Sequence, residues 1–317
     1  MGVVQSVLNE GFPPKSRFEP ERDIPDLTGQ VIIVTGGYNG IGLHTVRALL
    51  NKNAKVYIAG RSKEKGDQAL ETLKNERGRN QARFLKLDLA SLGSVQNAAS
   101  EFMRQETQLH VLFNNAGVMI PPIKEVTADG YDLQFGTNVL GHFYFTKLLL
   151  PVLLATAKSS PTGKVRVINL SSIAQRFGGL QFATLKDSPE RKKMTTAKLY
   201  IQSKFGIAVF SRQLAKRYGD QGIVSIALNP GNLKTELSRH SSPFEIFVVP
   251  FFHAPRLGAL TQLWAGTAEE TLQYNGEFLI PWARKGKVQE KATDERVGDH
   301  LWDWLEEQVK DIPRAKT

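Results

Sequence analysis

Cysteine is absent from the 317 residues. Disulfides, thiolate nucleophiles and cysteine-ligated metals are therefore excluded, and with them a disulfide-dependent secreted scaffold. Histidine is scarce, and its six copies show no His-x-x-x-His spacing, so no metal centre is expected. No run of 18 or more apolar residues occurs, which argues against a transmembrane helix. The N-terminus also lacks the continuous apolar stretch of a secretory signal. The formal charge is +10, but no compact Arg/Lys tract with interleaved aromatics appears, so nucleic-acid binding is not expected. Such charge suits a phosphorylated ligand or an anionic membrane surface better. Met1-Gly2-Val3-Val4-Gln5-Ser6 fits the short N-myristoylation pattern, although one acyl chain anchors only marginally. The expectation is a cytoplasmic protein, with acylation of Gly2 and peripheral membrane contact left open.

What is present is a regular alternation. Strand-like segments at 31–35, 55–59, 82–87, 109–113, 164–170, 223–228 and 276–280 are separated by helical stretches at 41–52, 63–77, 91–107, 128–157, 196–219 and 257–267. The strands are short and apolar without strict alternation, the mark of a parallel sheet covered on both faces. This predicts an α/β fold: a doubly wound, Rossmann-type parallel sheet of about seven strands with helices on both faces, in one domain. Residues 1–28, with Pro13-Pro14, Pro20 and Pro25 among charges, read as an N-terminal arm, and 29–317 as the domain proper. Insertions at 173–195 and 236–256 follow C-terminal strand ends, the edge where open α/β sheets bind ligands. The second contains the apolar run 244–252, read as lid, core or membrane contact.

The stretch Thr35-Gly36-Gly37-Tyr38-Asn39-Gly40-Ile41-Gly42 lies between a strand and a helix. A helix N-terminus presents unpaired N–H groups and a positive dipole end, and glycines let a pyrophosphate approach it. A dinucleotide site is the expectation. Tyr200 and Lys204 lie four apart on a helical stretch and share a face. A neighbouring ammonium would lower the phenol pKa and make it a usable acid or base. Ser171 and Ser172 end a strand, where a hydroxyl can bond a substrate oxygen, and the Asn138 amide could hold a water or backbone group in a proton relay.

These residues together resemble the short-chain dehydrogenase/reductase family, over about residues 29 to 235. Thr35 through Gly42 is similar to its cofactor turn, which implies cofactor contacts from Gly36, Tyr38, Asn39, Gly40, Ile41 and Gly42. Asn114-Asn115-Ala116-Gly117 is similar to the motif after the fourth strand, implying Asn115, Ala116 and Gly117 beside the cofactor. Asn229-Pro230-Gly231 followed by Thr235 resembles the loop on the nicotinamide and diphosphate, implicating Pro230, Gly231, Leu233 and Thr235. Asp88, with Leu89, resembles the family's acidic position near adenine. Asn138, Ser172, Tyr200 and Lys204 fall on its catalytic tetrad, with Ser172 preferred over Ser171 because the family places the hydroxyl second. The resemblance implies Tyr200 as proton donor or acceptor, Lys204 on the nicotinamide ribose, Ser172 on the substrate oxygen and Asn138 in a water relay. It also implies subunit pairing through the helices holding Asn138 and Tyr200; the N-terminal arm, the insertions and the tail at Trp302 and Trp304 could obstruct it, so monomer and homodimer both remain open.

At the end of the second strand an unphosphorylated ribose wants an acid. Gly60-Arg61-Ser62 stands there instead, with Lys63 and Lys65 close behind. Arg61 can fork onto a 2′-phosphate, with Ser62 as a second donor, so NADP(H) is expected over NAD(H). The 28 residues from Ser172 to Tyr200 are about twice the gap in the simplest members. That length resembles the branch of retinol dehydrogenases and WW-domain oxidoreductases, and also the light-dependent protochlorophyllide reductases, which rely on cysteines this chain lacks. Phe177, Phe182, Phe244, Phe247, Phe251 and Phe252 offer apolar area. The expected reaction interconverts a hydrophobic aldehyde or ketone and its alcohol; exact substrate and direction stay undetermined. The alternatives are a non-catalytic NADP(H)-binding regulatory or sensor protein and a carbon–carbon double-bond reductase.

Overall fold

Alternate side chains along the first two strands separate onto opposite faces, as the two-residue strand period requires. Val31, Ile33, Tyr57 and Ala59 enter one core, and Ile32, Val34, Val56 and Ile58 the other. Both faces being covered, every residue of β1 (Val31–Thr35) and β6 (Ile223–Leu228) is buried. The computed structural model describes residues 9–77, 81–233 and 253–312. Between β1 and β6 lie β2 (Lys55–Gly60), β3 (Ala82–Lys86), β4 (Val111–Asn114) and β5 (Val165–Leu170), and after them β7 (Phe278–Ile280) and β8 (Arg284–Lys285). The sheet order is β3-β2-β1-β4-β5-β6-β7-β8. Neighbours are parallel except β7 and β8, which pair antiparallel through Leu279 with Lys285 and Ile280 with Arg284. That makes eight strands among the described residues where about seven were expected. The extra one is two charged residues long and has no apolar period to betray it.

The helices are α1 (Pro20–Asp23), α2 (Gly40–Leu50), α3 (Lys63–Arg77), α4 (Leu92–Gln105), α5 (Leu133–Ser159), α6 (Pro189–Lys192), α7 (Thr196–Tyr218), α8 (Pro255–Thr267) and α9 (Glu295–Val309). Helices α4, α5, α7 and α9 cover one face, and α2, α3 and α8 the other. Helix α5 is long and apolar enough to cross a bilayer, yet most of its apolar window is buried inside the protein. It starts at Leu133, not near 128, because Asp132 caps it by accepting from the N–H groups of Gln134 and Phe135. In the segment before it, Val126 bridges Asp132 and Tyr131 bridges Lys186 instead. A π-helical segment, Gly136–Gly141, interrupts α5 and carries Asn138.

Helix α9 was not foreseen. Its residues Leu301, Trp302, Leu305 and Val309 are buried, the Trp302 indole meeting Phe143 edge-on at 5.3 Å and stacking near Phe210 at 6.4 Å. The N-terminal segment packs as part of the domain surface: Phe18, Ile24 and Leu27 enter the second core. The insertion at 173–195 forms two short 3-10 turns and α6, tied down by Arg191. This arginine is 1% exposed, pairs with Asp132 at 3.0 Å and Asp187 at 3.1 Å, and donates to the carbonyls of Ile123 and Glu125. Of the second insertion only 253–256 is described; Thr235, Phe244, Phe247, Phe251, Phe252 and Gly2 lie outside the described residues.

Candidate active site

Sheet order reverses between β1 and β4, and a crevice of about 580 Å³ opens at their C-terminal ends. It is lined by the glycine turn (Gly36, Tyr38, Asn39, Gly40, Ile41, Gly42), by Arg61 and Ser62 after β2, by Asp88 and Leu89 after β3, and by Asn115, Ala116 and Gly117 after β4. Gly36 and Gly40 hold φ of +66° and +50°, conformations that L side chains rarely adopt. A Cβ built on Gly40 meets nothing within 4 Å, so the backbone at the start of α2 is open to a phosphate. Gly36 N donates to Ala59 O at 2.7 Å and Asn115 Nδ2 to Thr35 O at 2.7 Å, fastening the turn to strands on either side.

Thr35 joins the turn to the interior. Its hydroxyl oxygen accepts from the N–H groups of Asn115 and Ala116, both at 2.9 Å, and lies 3.0 Å from His142 Nε2. His142 Nδ1 is 3.0 Å from the Asn138 carbonyl, which only accepts, so Nδ1 carries the hydrogen and Nε2 is the acceptor. Burial pushes His142 down to about 4, which keeps it neutral in this role. The Asn138 side chain is fully buried: its amide donates to Val118 O and Ser203 Oγ, and its oxygen accepts from Val118 N.

Tyr200 and Lys204 sit on the inner side of α7, capped by Thr195. Lys204 is 6% exposed and donates from Nζ to Leu170 O at 2.9 Å. The same ammonium lies 3.7 Å from the point where a Cβ on Gly117 would stand, at the crevice wall. The two serines part company. Ser171 is buried and donates to Lys204 O at 2.7 Å, while the Ser172 hydroxyl accepts from Ala174 N at 3.2 Å and caps the turn after β5. The phenol pKa moves opposite to expectation. Burial pushes Tyr200 up to about 12, only partly offset by Ser172, and burial pushes Lys204 down to about 7. With Nζ 5.7 Å from the tyrosine ring centre and its own charge penalised, the lysine does not depress the phenol here.

Beyond β6, Asn229 accepts from Gly231 N and donates to Glu10 of the N-terminal segment at 2.8 Å. Pro230 and Gly231 follow β6 here, and Leu233 stands beside Ile41 against Gly258. Sequence reasoning missed Thr137, which lines the crevice and has a buried hydroxyl with no hydrogen-bond partner among the described residues. A threonine inside an apolar helix carries no signal by itself. Val118, Met119, Pro121 and Leu133 add an apolar wall. Phe182, one of the loop residues offering apolar area, stacks on His300 at 3.8 Å and lies near Trp304. Phe177 is 54% exposed.

The sequence model of the family described as short chain dehydrogenase matches residues 30–184. A short-chain dehydrogenase/reductase of Armillaria gallica is 55% identical over 312 residues, covering 98% of this chain and all of the relative. Human retinol dehydrogenase 12 is 36% identical over 279 residues, 87% of this chain and 85% of that protein. Among solved structures, an uncharacterised protein from Mycobacterium paratuberculosis superposes with a TM-score of 0.74 at 27% identity, covering 93% of this chain and 98% of that one.

Proposed function

The chain belongs to the short-chain dehydrogenase/reductase family of oxidoreductases, and from that premise we propose that it interconverts a hydrophobic aldehyde or ketone and its alcohol with NADP(H). The observation that carries this reading is buried Lys204 at the wall of a glycine-lined crevice, on one helix with Tyr200 and 5.7 Å from the centre of its ring. When bound, a reduced nicotinamide supplies the hydride. Its holder would be the turn Gly36–Gly42, whose open backbone suits a diphosphate, with Asp88, Leu89, Asn115, Ala116 and Gly117 along the adenosine. Arg61 and Ser62 are the donors for a 2′-phosphate. Pro230, Gly231, Leu233 and Thr235 complete the proposed cofactor contacts.

Ser172 holds and polarises the substrate oxygen, and Tyr200 gives it the proton in reduction or removes one in oxidation. A phenol at about 12 is fully protonated at neutral pH, which suits the reductive direction. Lys204 is the cation available to sugar hydroxyls and to Tyr200 when the phenol gives up its proton. Asn138, anchored on Val118, holds the lysine's surroundings in register. The apolar wall of Val118, Met119, Pro121 and Leu133 favours retinoid, steroid, fatty or aromatic carbonyls over charged ones. The Ser172–Tyr200 gap and the 36% identity to a retinol dehydrogenase support a place near that branch.

The test is Tyr200→Phe. Replacing the acid should cost roughly a hundredfold or more in NADPH-dependent aldehyde reduction, with NADPH affinity unchanged. Unchanged turnover removes Tyr200 from the chemistry.

A further inference from the structure

Gly60 ends β2, where a nucleotide-binding fold of this type puts the acid for an unphosphorylated ribose. A Cβ built there falls 2.0 Å from Tyr38 Cε1, 2.8 Å from Cδ1 and 3.1 Å from Cζ. Those are overlaps, so no side chain enters at 60 while the tyrosine keeps its place. Tyr38 is half-buried and packs against the second core, and it lines the crevice beside Gly60, Arg61, Ser62 and Lys65.

We propose that Tyr38 is a specificity-determining residue: its ring fills the space that a ribose-binding acid would need. Cofactor choice is then set by contact between Tyr38 and Gly60, and the basic residues after β2 are only half of it. This rests on the NADP(H) reading above. Charge alone would make Gly60→Asp sufficient to recruit NADH. With the ring in the way, the acid must first displace an aromatic group from a packed site, and overpacking is paid in lost affinity.

Isothermal titration of NADPH and NADH into the full-length chain separates the two accounts without needing a substrate. The set is wild type, Tyr38→Ala, Gly60→Asp and the double variant, each checked for folding by thermal melting. Gly60→Asp alone should weaken both cofactors, whereas the double variant should bind NADH about tenfold more tightly than Gly60→Asp and prefer it to NADPH. Gly60→Ala asks the same question with one methyl group and stands in if the aspartate variant fails to fold. It should weaken NADPH about tenfold beside Tyr38, and by less than about threefold in the Tyr38→Ala background. Gly60→Asp alone binding NADH as well as the double variant overturns the inference, as does an alanine effect equal in both backgrounds. Equal NADPH and NADH affinities in wild type would instead overturn the NADP(H) reading, before any variant is compared.

Discussion

The Thr137 hydroxyl is buried at the crevice without a partner among the described residues, although a hydroxyl taken from water ordinarily costs stability unless it is bonded. A ligand group is the natural partner. Thr137→Val keeps the shape and removes the hydroxyl. Denaturant titration should show the protein alone stabilised by about 1 kcal/mol, while NADPH binding weakens by about tenfold. A variant that binds NADPH as well as wild type would leave the hydroxyl without a role. Tyr200 and Lys204 could be read from sequence because a four-residue spacing on a helix forces a shared face. Thr137 could not be, since its meaning comes from what fails to surround it. Ser171 and Ser172 are adjacent and chemically identical; only the turn of the chain after β5 sends one to the α7 backbone and the other to the N–H of Ala174. The direction of the tyrosine pKa was misjudged for a related reason: burial, which sequence does not show, acts on both the phenol and its expected ammonium partner.

Strands β1 to β6 and the helices between them fall within a few residues of where apolar patterning puts them. Failures lie where a local tertiary contact decides. Helix α5 begins five residues late because Asp132 caps it and is itself gripped by Arg191 from the insertion. Helix α9 hides in sequence behind acidic residues, and only its row of Leu301, Trp302, Leu305 and Val309 against α7 reveals it. The Arg191–Asp132 pair joins the 173–195 insertion to the loop before α5, whose Glu125 lines the crevice. Arg191→Ala strands a buried carboxylate and should cost about 3–5 kcal/mol in urea unfolding. A loss under about 1 kcal/mol would mean that the pair behaves like an exposed one.

At the scale of the molecule, α9 lies across α5 and α7, the helices holding Asn138 and Tyr200. Lys147 pairs with Glu306, Lys216 with Glu295 and Arg217 with Asp299, while Trp302 fills the groove between Phe143 and Phe210. We propose that the chain thus covers with its own helix the face through which the family resemblance implied subunit pairing. Light scattering on the full chain should give 35.3 kDa, and a dimer mass would contradict that view. The N-terminal segment joins the same economy of self-contact: buried Glu10 pairs with Arg176 after β5 and accepts from Asn229 after β6, so the arm ties the segments after these two strands together. The proposed reaction comes down to one event, the arrival of a hydride and a phenol proton at a single carbonyl. Reduction of a hydrophobic aldehyde with NADPH deuterated at both C4 positions, followed by mass spectrometry and NMR of the product, reads that event directly. One deuterium on the carbinol carbon is the predicted result; deuterium on a carbon of a reduced double bond, or no label in the product at all, would contradict it.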